Sequence, residues 1–227
     1  MKKSKKLIIF GDSAFAEVAY EYFTHDSDYE VVAFTVSEEF LKRTELFGLP
    51  IVSFETVFTL FPPGDCEMHV ALVYNTLNRV RADFYSKAKQ LGYKLANYIS
   101  SKAFVWPNVV MGDNVFVFED NTVQPFVKLG SNIVLWSGNH IGHHSVLGDH
   151  LFISSHVVIS GFCTIGNFTF MGVNSTVGNN INIGVDCLIG AGCLIVKDTG
   201  DGRLFKGIPA VADGLSVYEK FKINQNI

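Results

Sequence analysis

From Val105 to Ile195 the chain carries an aliphatic residue or methionine at every sixth position without a break. The series opens with Val105, Met111, Val117 and Val123 and runs to sixteen members. Glycine often follows, as at Gly112, Gly130, Gly142, Gly148, Gly166, Gly172, Gly178, Gly184 and Gly190. A helix repeats every 3.6 residues and a strand every two, so neither has this period. A coil of short parallel strands has it, because one strand and its turn together use six residues. Three hexads close a triangular turn, so residues eighteen apart stack at about 4.8 Å, the spacing of paired strands. Inward aliphatics then form columns such as Leu135, Ile153, Met171 and Ile189. Cys163, Cys187 and Cys193 each fall four residues after a repeat aliphatic, a second inward position that takes small side chains. Asn121 and Asn139 share that position eighteen residues apart, which predicts a short amide ladder.

The rest of the composition excludes several classes. A net charge of -4 carries no basic footprint for nucleic acid. Hydrophobic residues make up 48% of the chain, which argues for a substantial core and against disorder. No apolar run approaches the roughly 20 residues that span a bilayer, and the cytoplasm is the expected compartment. The four cysteines include no CxxC pair, so a zinc site is not expected.

Residues 1–100 follow a different pattern. Leu7 to Phe10, Val31 to Phe34, Pro50 to Val52, His69 to Val73 and Lys94 to Ile99 read as strands. A helix is expected through Glu21–Phe23. Another is expected from Leu77 to Leu91, with Val80, Phe84 and Ala88 on its apolar stripe. Ser53 with Glu55 could cap a short helix after the third strand. Alternation of strand and helix implies a small parallel, Rossmann-like α/β sheet. Gly11-Asp12-Ser13-Ala14-Phe15-Ala16 is a reduced form of the dinucleotide fingerprint, placed between a strand and a helix N-terminus. Gly11, Asp12, Ser13 and Thr35 are the candidate substrate-binding residues, with a bare structural turn at Gly11 as the competing reading. Thr35-Val36-Ser37 stand where an acidic residue would bind a ribose, which argues against NAD. The expected organisation is a Rossmann-like domain over 1–100, the coil over 101–212 and a tail with a short helix over 213–227.

Five of the seven histidines lie between His140 and His156. His143 and His144 fall at a hexad turn, where side chains point outward. Eighteen residues after His143 stands Gly161, so a protruding imidazole has a residue without a side chain one coil below it. A base beside a main-chain amide suits acyl transfer: the base takes a proton from the nucleophile and the amide holds the oxyanion. The competing reading is that both histidines are solvated turn residues.

The hexads resemble the left-handed parallel β-helix acyltransferases. Within that group the two-part layout is similar to the bacterial sugar N-acetyltransferases of the bacillosamine and perosamine type, with relatives described as sialic acid O-acetyltransferases. Gly138-Asn139-His140-Ile141-Gly142-His143-His144-Ser145-Val146-Leu147-Gly148-Asp149 carries the resemblance most specifically. It implies His143 as general base and Gly161 as the glycine whose amide faces a thioester carbonyl. It implies Gly172, Val173 and Ala191 along the pantetheine arm of coenzyme A. Lys206, Ile208 and Pro209, in Lys206-Gly207-Ile208-Pro209-Ala210, would lie near its adenine end. It further implies acetyl-CoA as cosubstrate, a homotrimer, and a nucleotide-linked amino sugar held by the N-terminal domain. Two departures stand out. His144, itself a candidate catalytic residue, replaces the acidic residue that often follows the base, which leaves Asn139 or a main-chain carbonyl to orient His143. The loop at Gly11 lacks the family's Gly-x-Ser-Gly-His-Gly pattern.

The expected activity is acetyl-CoA-dependent N-acetylation of a nucleotide-linked amino sugar in bacterial surface glycan (O-antigen, lipopolysaccharide) synthesis. The alternatives are a sugar O-acetyltransferase with the same base and a non-catalytic scaffold or sugar-nucleotide sensor. A metal-dependent hexapeptide enzyme would need three converging histidines, and the spacing of His140, His144 and His150 offers no such set.

Overall fold

The computed structural model describes residues 2–223. Its first part contains β1 (Lys5–Phe10), α1 (Ala14–Asp26), β2 (Tyr29–Val36), β3 (Glu45–Leu46), β4 (Leu49–Ser53), α2 (Val57–Leu60), β5 (Glu67–Val70) and α3 (Arg79–Gln90). The strands form one sheet in the order β3-β4-β2-β1-β5. β1, β2, β4 and β5 pair in parallel, as the alternation of strand and helix predicts. β3 runs antiparallel to β4, so the sheet is mixed. Phe47 and Gly48 both have positive φ (53° and 76°), the backbone of a two-residue hairpin that turns the chain back at once.

Three elements depart from the sequence reading. Lys94 to Ile99 is not a strand of this sheet: Leu95 makes one bridge to Met68, and Tyr98–Ile99 already pairs with the coil. Asn97 draws the chain across, accepting the Val115 N–H at 2.8 Å and donating to the Gly112 carbonyl at 2.8 Å. The helix expected from Leu77 starts at Arg79, because Thr76, Leu77 and Asn78 all adopt left-handed backbone (φ 50°, 49° and 66°). On α3, Val80 is exposed and Arg81 is buried in its stead. Finally, Ser53 and Glu55 bond to each other rather than capping α2, whose N-cap is Thr56.

From Tyr98 to Phe205 the chain is a left-handed parallel β-helix of two-residue strands. The first face holds strands beginning at Phe104, Thr122, His140, Val158, Thr176 and Leu194. The second holds those at Val110, Lys128, Val146, Thr164 and Asn182, and the third those from Tyr98 through Phe116 and Phe152 to Leu204. Partners within the coil are eighteen residues apart, as in Leu135–Ile153 and Ile153–Met171. The last pair, Leu188–Leu204, is sixteen apart, so the final turn is two residues short. The aliphatic column is dry: Leu135, Ile153, Met171 and Ile189 are fully buried, each side chain contributing about 1.5–3 kcal/mol. Cys163, Cys187 and Cys193 fill the second inward position as expected.

From Asn114 to Gly192 each corner is rounded through one left-handed residue. Between the first and second faces these are Phe126, His144, Phe162 and Asn180, with φ between 59° and 66°. Asn, Asp and His tolerate this region; phenylalanine does so rarely. Here Phe126 and Phe162 are held by stacking on His144.

The third face is covered by the N-terminal α/β unit. Phe116, Phe118, Val134, Trp136 and Phe152 point outward from the coil, not inward, and pack with Phe15, Tyr22 and Phe23 of α1. Tyr74 lies on Phe152 and Phe170. At one edge Arg79 pairs with Asp186 and Lys89 with Asp113. Arg81 is buried here, donating to the Leu151 carbonyl at 2.8 Å and to Asn78 at 2.9 Å, and burial pushes its guanidinium down to about 9. The tail carries α4 (Val217–Phe221), with a capping box between Ser216 and Glu219. Residues 224–227 of the expected tail lie outside the described residues. Among the described residues no helix is long and apolar enough to cross a membrane.

Candidate active site

The strand His140–Ile141 ends the first face at Gly142, and His143, His144 and Ser145 round the corner to the second. Gly142 is required there: a Cβ would lie 2.5 Å from the nitrogen of Gly161. Ser145 points inward and ties two adjacent coils, donating to the Ser160 carbonyl at 3.0 Å and accepting the Cys163 N–H at 3.1 Å. His143 and His144 remain exposed. The main-chain N–H of His143 donates to Gln124 Oε1 at 2.9 Å.

The His143 ring stands over Gly161. A Cβ built on Gly161 would come within 2.9 Å of its Cε1 and 3.0 Å of its Nε2. The ring meets Phe162 edge to face, with centroids 5.0 Å apart. Its Nδ1 lies 3.1 Å from Nδ1 of His144. One of these two nitrogens must carry the hydrogen. If His143 donates, its Nε2, the atom beside Gly161, keeps the lone pair a base requires. His144 is suited to hold still as acceptor, because its ring is sandwiched between Phe126 (4.6 Å) and Phe162 (4.8 Å).

Two expectations change at this corner. The Gly161 amide is not a free donor: it gives its hydrogen to Asn179 Oδ1 at 3.0 Å. Asn139 does not reach His143. It is buried, accepts the Val157 N–H at 2.7 Å and donates to the Trp136 carbonyl, so both ends of its amide serve the coil. Nor does it bond to Asn121, whose amide donates to the Phe118 and Trp136 carbonyls at 2.9 and 2.8 Å. The two asparagines satisfy main-chain groups of their own turn and of the next coil rather than each other, since Asn139 reaches Val157 and Asn121 reaches Trp136.

The sequence matches no family model, and no curated protein matches it significantly. Solved structures do match. The acetyltransferase domain of PglB from Neisseria gonorrhoeae superposes with a TM-score of 0.81 at 24% identity, over 90% of this chain and 97% of that one. PerB from Caulobacter crescentus, in complex with CoA and GDP-perosamine, superposes at 0.79 with 25% identity, over 92% and 97%. WeeI from Acinetobacter baumannii gives 0.68 at 19% identity, over 90% and 97%. The chain has the fold of these acetyltransferases.

Within this fold the remaining candidates fall into three places. Gly172, Val173 and Ala191 lie together at the corner between the third and first faces, where a Cβ on Gly172 would sit 2.6 Å from the Ala191 nitrogen. That corner is the opposite edge of the first face from Gly161, so the two groups do not meet within one chain. Gly207 packs against the Ala191 carbonyl too closely for any side chain. Beyond it, Lys206 and Ile208 line a 400 Å³ cleft with Cys193, Leu194 and Ile195 at the end of the coil, whereas Pro209 stands outside it.

The N-terminal candidates sit on the third face, away from His143. Gly11 has φ 121°, and a Cβ there would lie 2.9 Å from the Ala71 carbonyl oxygen, so glycine is needed to let β1 leave the sheet. Ser13 is exposed at the N-cap of α1 without a capping bond. Asp12 is engaged by Arg43, which also approaches Glu17. Thr35 is a correction: it is fully buried within β2 and donates to the Val52 carbonyl at 3.0 Å, so no ligand reaches it.

His150 and His69 have structural partners. His150 bonds Asn132 at 2.8 Å and stacks on Phe168, and burial, reinforced by Arg81 and Arg79, lowers its pKa. His69, buried in β5, faces the Ala96 carbonyl at 2.9 Å, and burial pushes it down to about 4. Among the described residues no three His, Cys, Asp or Glu side chains converge as a metal site. Sequence reasoning passed over Asn179, Phe126 and Phe162. The same eighteen-residue step that links His143 to Gly161 also links 161 to 179 and 126 to 144 to 162.

Proposed function

We propose that this chain is an acetyl-CoA-dependent N-acetyltransferase of a nucleotide-linked amino sugar, with His143 as general base. The observation that carries the reading is the His143 imidazole poised over a glycine at an exposed edge of the coil, with its Nδ1 against His144. His143 Nε2 takes a proton from the sugar amine as the amine nitrogen attacks the thioester carbonyl carbon. The C–S bond then breaks, the carbonyl re-forms, and His143 returns the proton to the sulfur of the leaving coenzyme A. His144 holds the tautomer that leaves Nε2 unprotonated, in the place where an acidic residue often stands. Complexes of PglB with acetyl coenzyme A and of PerB with CoA and GDP-perosamine support the substrate classes.

A homotrimer is part of the same proposal. The Gly11–Ser13 loop and His143 belong to opposite sides of one prism, and the Gly172–Ala191 corner is one face away from Gly161. A sugar nucleotide held at Ser13, or coenzyme A lying along both corners, reaches His143 only where copies sit side by side. The residues at the coil end suit coenzyme A: Lys206 offers an ammonium for its phosphates beside the apolar Leu194 and Ile208.

The test is acetyl transfer from acetyl-CoA to a panel of UDP-, dTDP- and GDP-linked 3-amino and 4-amino sugars. His143→Asn should lower kcat by about 10²–10⁴, the usual worth of a general base, with acetyl-CoA affinity unchanged by calorimetry. Undiminished turnover in that variant would remove His143 from the mechanism. Transfer only to the corresponding hydroxyl sugars would move the assignment to an O-acetyltransferase.

A further inference from the structure

The acetyl-transfer reading needs a donor for the thioester carbonyl oxygen, and the expected one is occupied. The Gly161 N–H has one hydrogen to give and gives it to Asn179 Oδ1 at 3.0 Å. On its other side the Gly161 nitrogen is packed against the coil above, since a Cβ on Gly142 would lie 2.5 Å from it. Resting on that reading, we propose that the side-chain NH₂ of Asn179, anchored through its own oxygen by Gly161, is the donor that meets the carbonyl oxygen.

Three observations lead there. First, the anchor decides which end of the amide is free. A main-chain N–H can only donate, so the oxygen of Asn179 faces Gly161 and the NH₂ is the outer end. Asn179 is exposed, and its Nδ2 has no hydrogen-bond partner among the described residues. Donation into Oδ1 polarises the planar amide and strengthens its N–H groups as donors.

Second, His143, Gly161 and Asn179 occupy successive coils of one corner. Gly161 contributes no side chain, which leaves a notch between the flanking rungs, about 9.6 Å apart main chain to main chain, that the imidazole enters from one side and the amide from the other. An acyl group in that notch has the base on one side and the amide on the other. As the amine attacks, the carbonyl π pair moves onto oxygen beside Nδ2, and His143 Nε2 takes the amine proton. When the C–S bond breaks, that pair re-forms the carbonyl.

Third, the same anchoring contact elsewhere in the coil does not require an amide. Asp149 accepts the Ser131 N–H at 2.7 Å, and Asp201 accepts the Val185 N–H at 2.9 Å. Asn167 does so for Asp149 at 2.8 Å. Aspartate therefore suffices to satisfy an N–H of the rung above. What asparagine adds at 179 is a donor, and it adds it one rung below a glycine and two below the candidate base.

The experiment compares wild type with Asn179→Asp and Asn179→Ala. Binding is measured by calorimetry with acetyl-CoA alone. The thioester carbonyl is followed by infrared difference spectroscopy with acetyl-CoA ¹³C-labelled at that carbon, so no acceptor sugar is needed. The wild type should shift the carbonyl stretch to lower frequency, and both variants should lose that shift. In turnover, kcat should fall by about 10²–10³ in both, the usual effect of removing one oxyanion donor, with acetyl-CoA affinity little changed. Asn179→Asp should melt with the wild type, because it still accepts the Gly161 N–H. A retained or larger carbonyl shift in Asn179→Ala would overturn the proposal and make the released Gly161 amide the donor, with Asn179 as its plug. Full activity in Asn179→Asp would reduce the residue to a rung of the ladder. A wild type that binds acetyl-CoA without any shift refutes this inference alone; a wild type that does not bind acetyl-CoA refutes the acetyl-transfer reading and the inference with it.

Discussion

Gly161→Ala is the sharpest probe of the corner. The backbone accepts alanine, since Gly161 lies outside the positive-φ region. The added Cβ, however, would sit 2.9 Å from Cε1 and 3.0 Å from Nε2 of His143, against an optimal carbon contact of about 3.5–4.0 Å. All three of its nearest neighbours are atoms of that ring, so the ring is what moves. Moving it sacrifices the contact with His144, about 0.5–1.5 kcal/mol, and the edge-to-face contact with Phe162, about 0.5–1.5 kcal/mol. Replacing glycine returns about 0.4–1 kcal/mol by restricting the unfolded chain. The single variant should therefore melt within a few degrees of wild type. Catalysis should suffer far more, because a base displaced by about 1 Å costs on the order of 10² in rate. Thermal melts of Gly161→Ala, His143→Ala and the double variant isolate the contact without any substrate. Once the imidazole is gone the methyl meets nothing, so the cycle should show about 1–3 kcal/mol of coupling. A coupling below about 0.5 kcal/mol, the level expected of independent sites, together with wild-type kcat in Gly161→Ala, would refute the placement of His143 over Gly161.

Two further outcomes follow from the structure. His69 is buried neutral with a pKa pushed from 6.5 to about 4, chiefly by burial. The unfolded chain takes up that proton first, so its contribution is complete above pH 6.5 and is lost as pH falls towards 4, in all about 3 kcal/mol. His69→Asn keeps a donor for the Ala96 carbonyl but cannot titrate, and chemical denaturation between pH 7 and 4.5 should show a flatter stability profile than wild type; an equal slope would exclude His69 as the source. Gly207→Ala would drive a methyl into the Ala191 carbonyl and displace the segment carrying Lys206 and Ile208. Its KM for acetyl-CoA should rise about tenfold or more with kcat nearly unchanged, and an unchanged KM would detach that segment from the cofactor.

The tail shows where a sequence reading needs no tertiary help. Ser216 and Glu219 form a capping box across three residues, so the short helix ending at Phe221 is written locally. Helix α3 shows the opposite. Its expected first turn is lost to three left-handed residues, and its buried side is decided by Arg81 reaching the Leu151 carbonyl of the coil, seventy residues away. No local periodicity could report that contact.

The coil was legible because a six-residue period repeats one geometry, and repetition turns sequence separation into spatial position. By itself the sequence determined which residues point inward, that His143 stands one rung above Gly161, and that the cysteines serve as filling. Only the tertiary structure decided that Asn139 spends both ends of its amide on main chain, that Thr35 is sealed inside β2, and that Asn179 occupies the Gly161 amide. It also decided that the α/β unit covers the third face, leaving the histidine corner on the far side. The division has a physical cause. Main-chain register is inherited rung by rung from hydrogen bonds between identical turns, whereas a side chain's partner is chosen among all donors and acceptors that packing brings within reach.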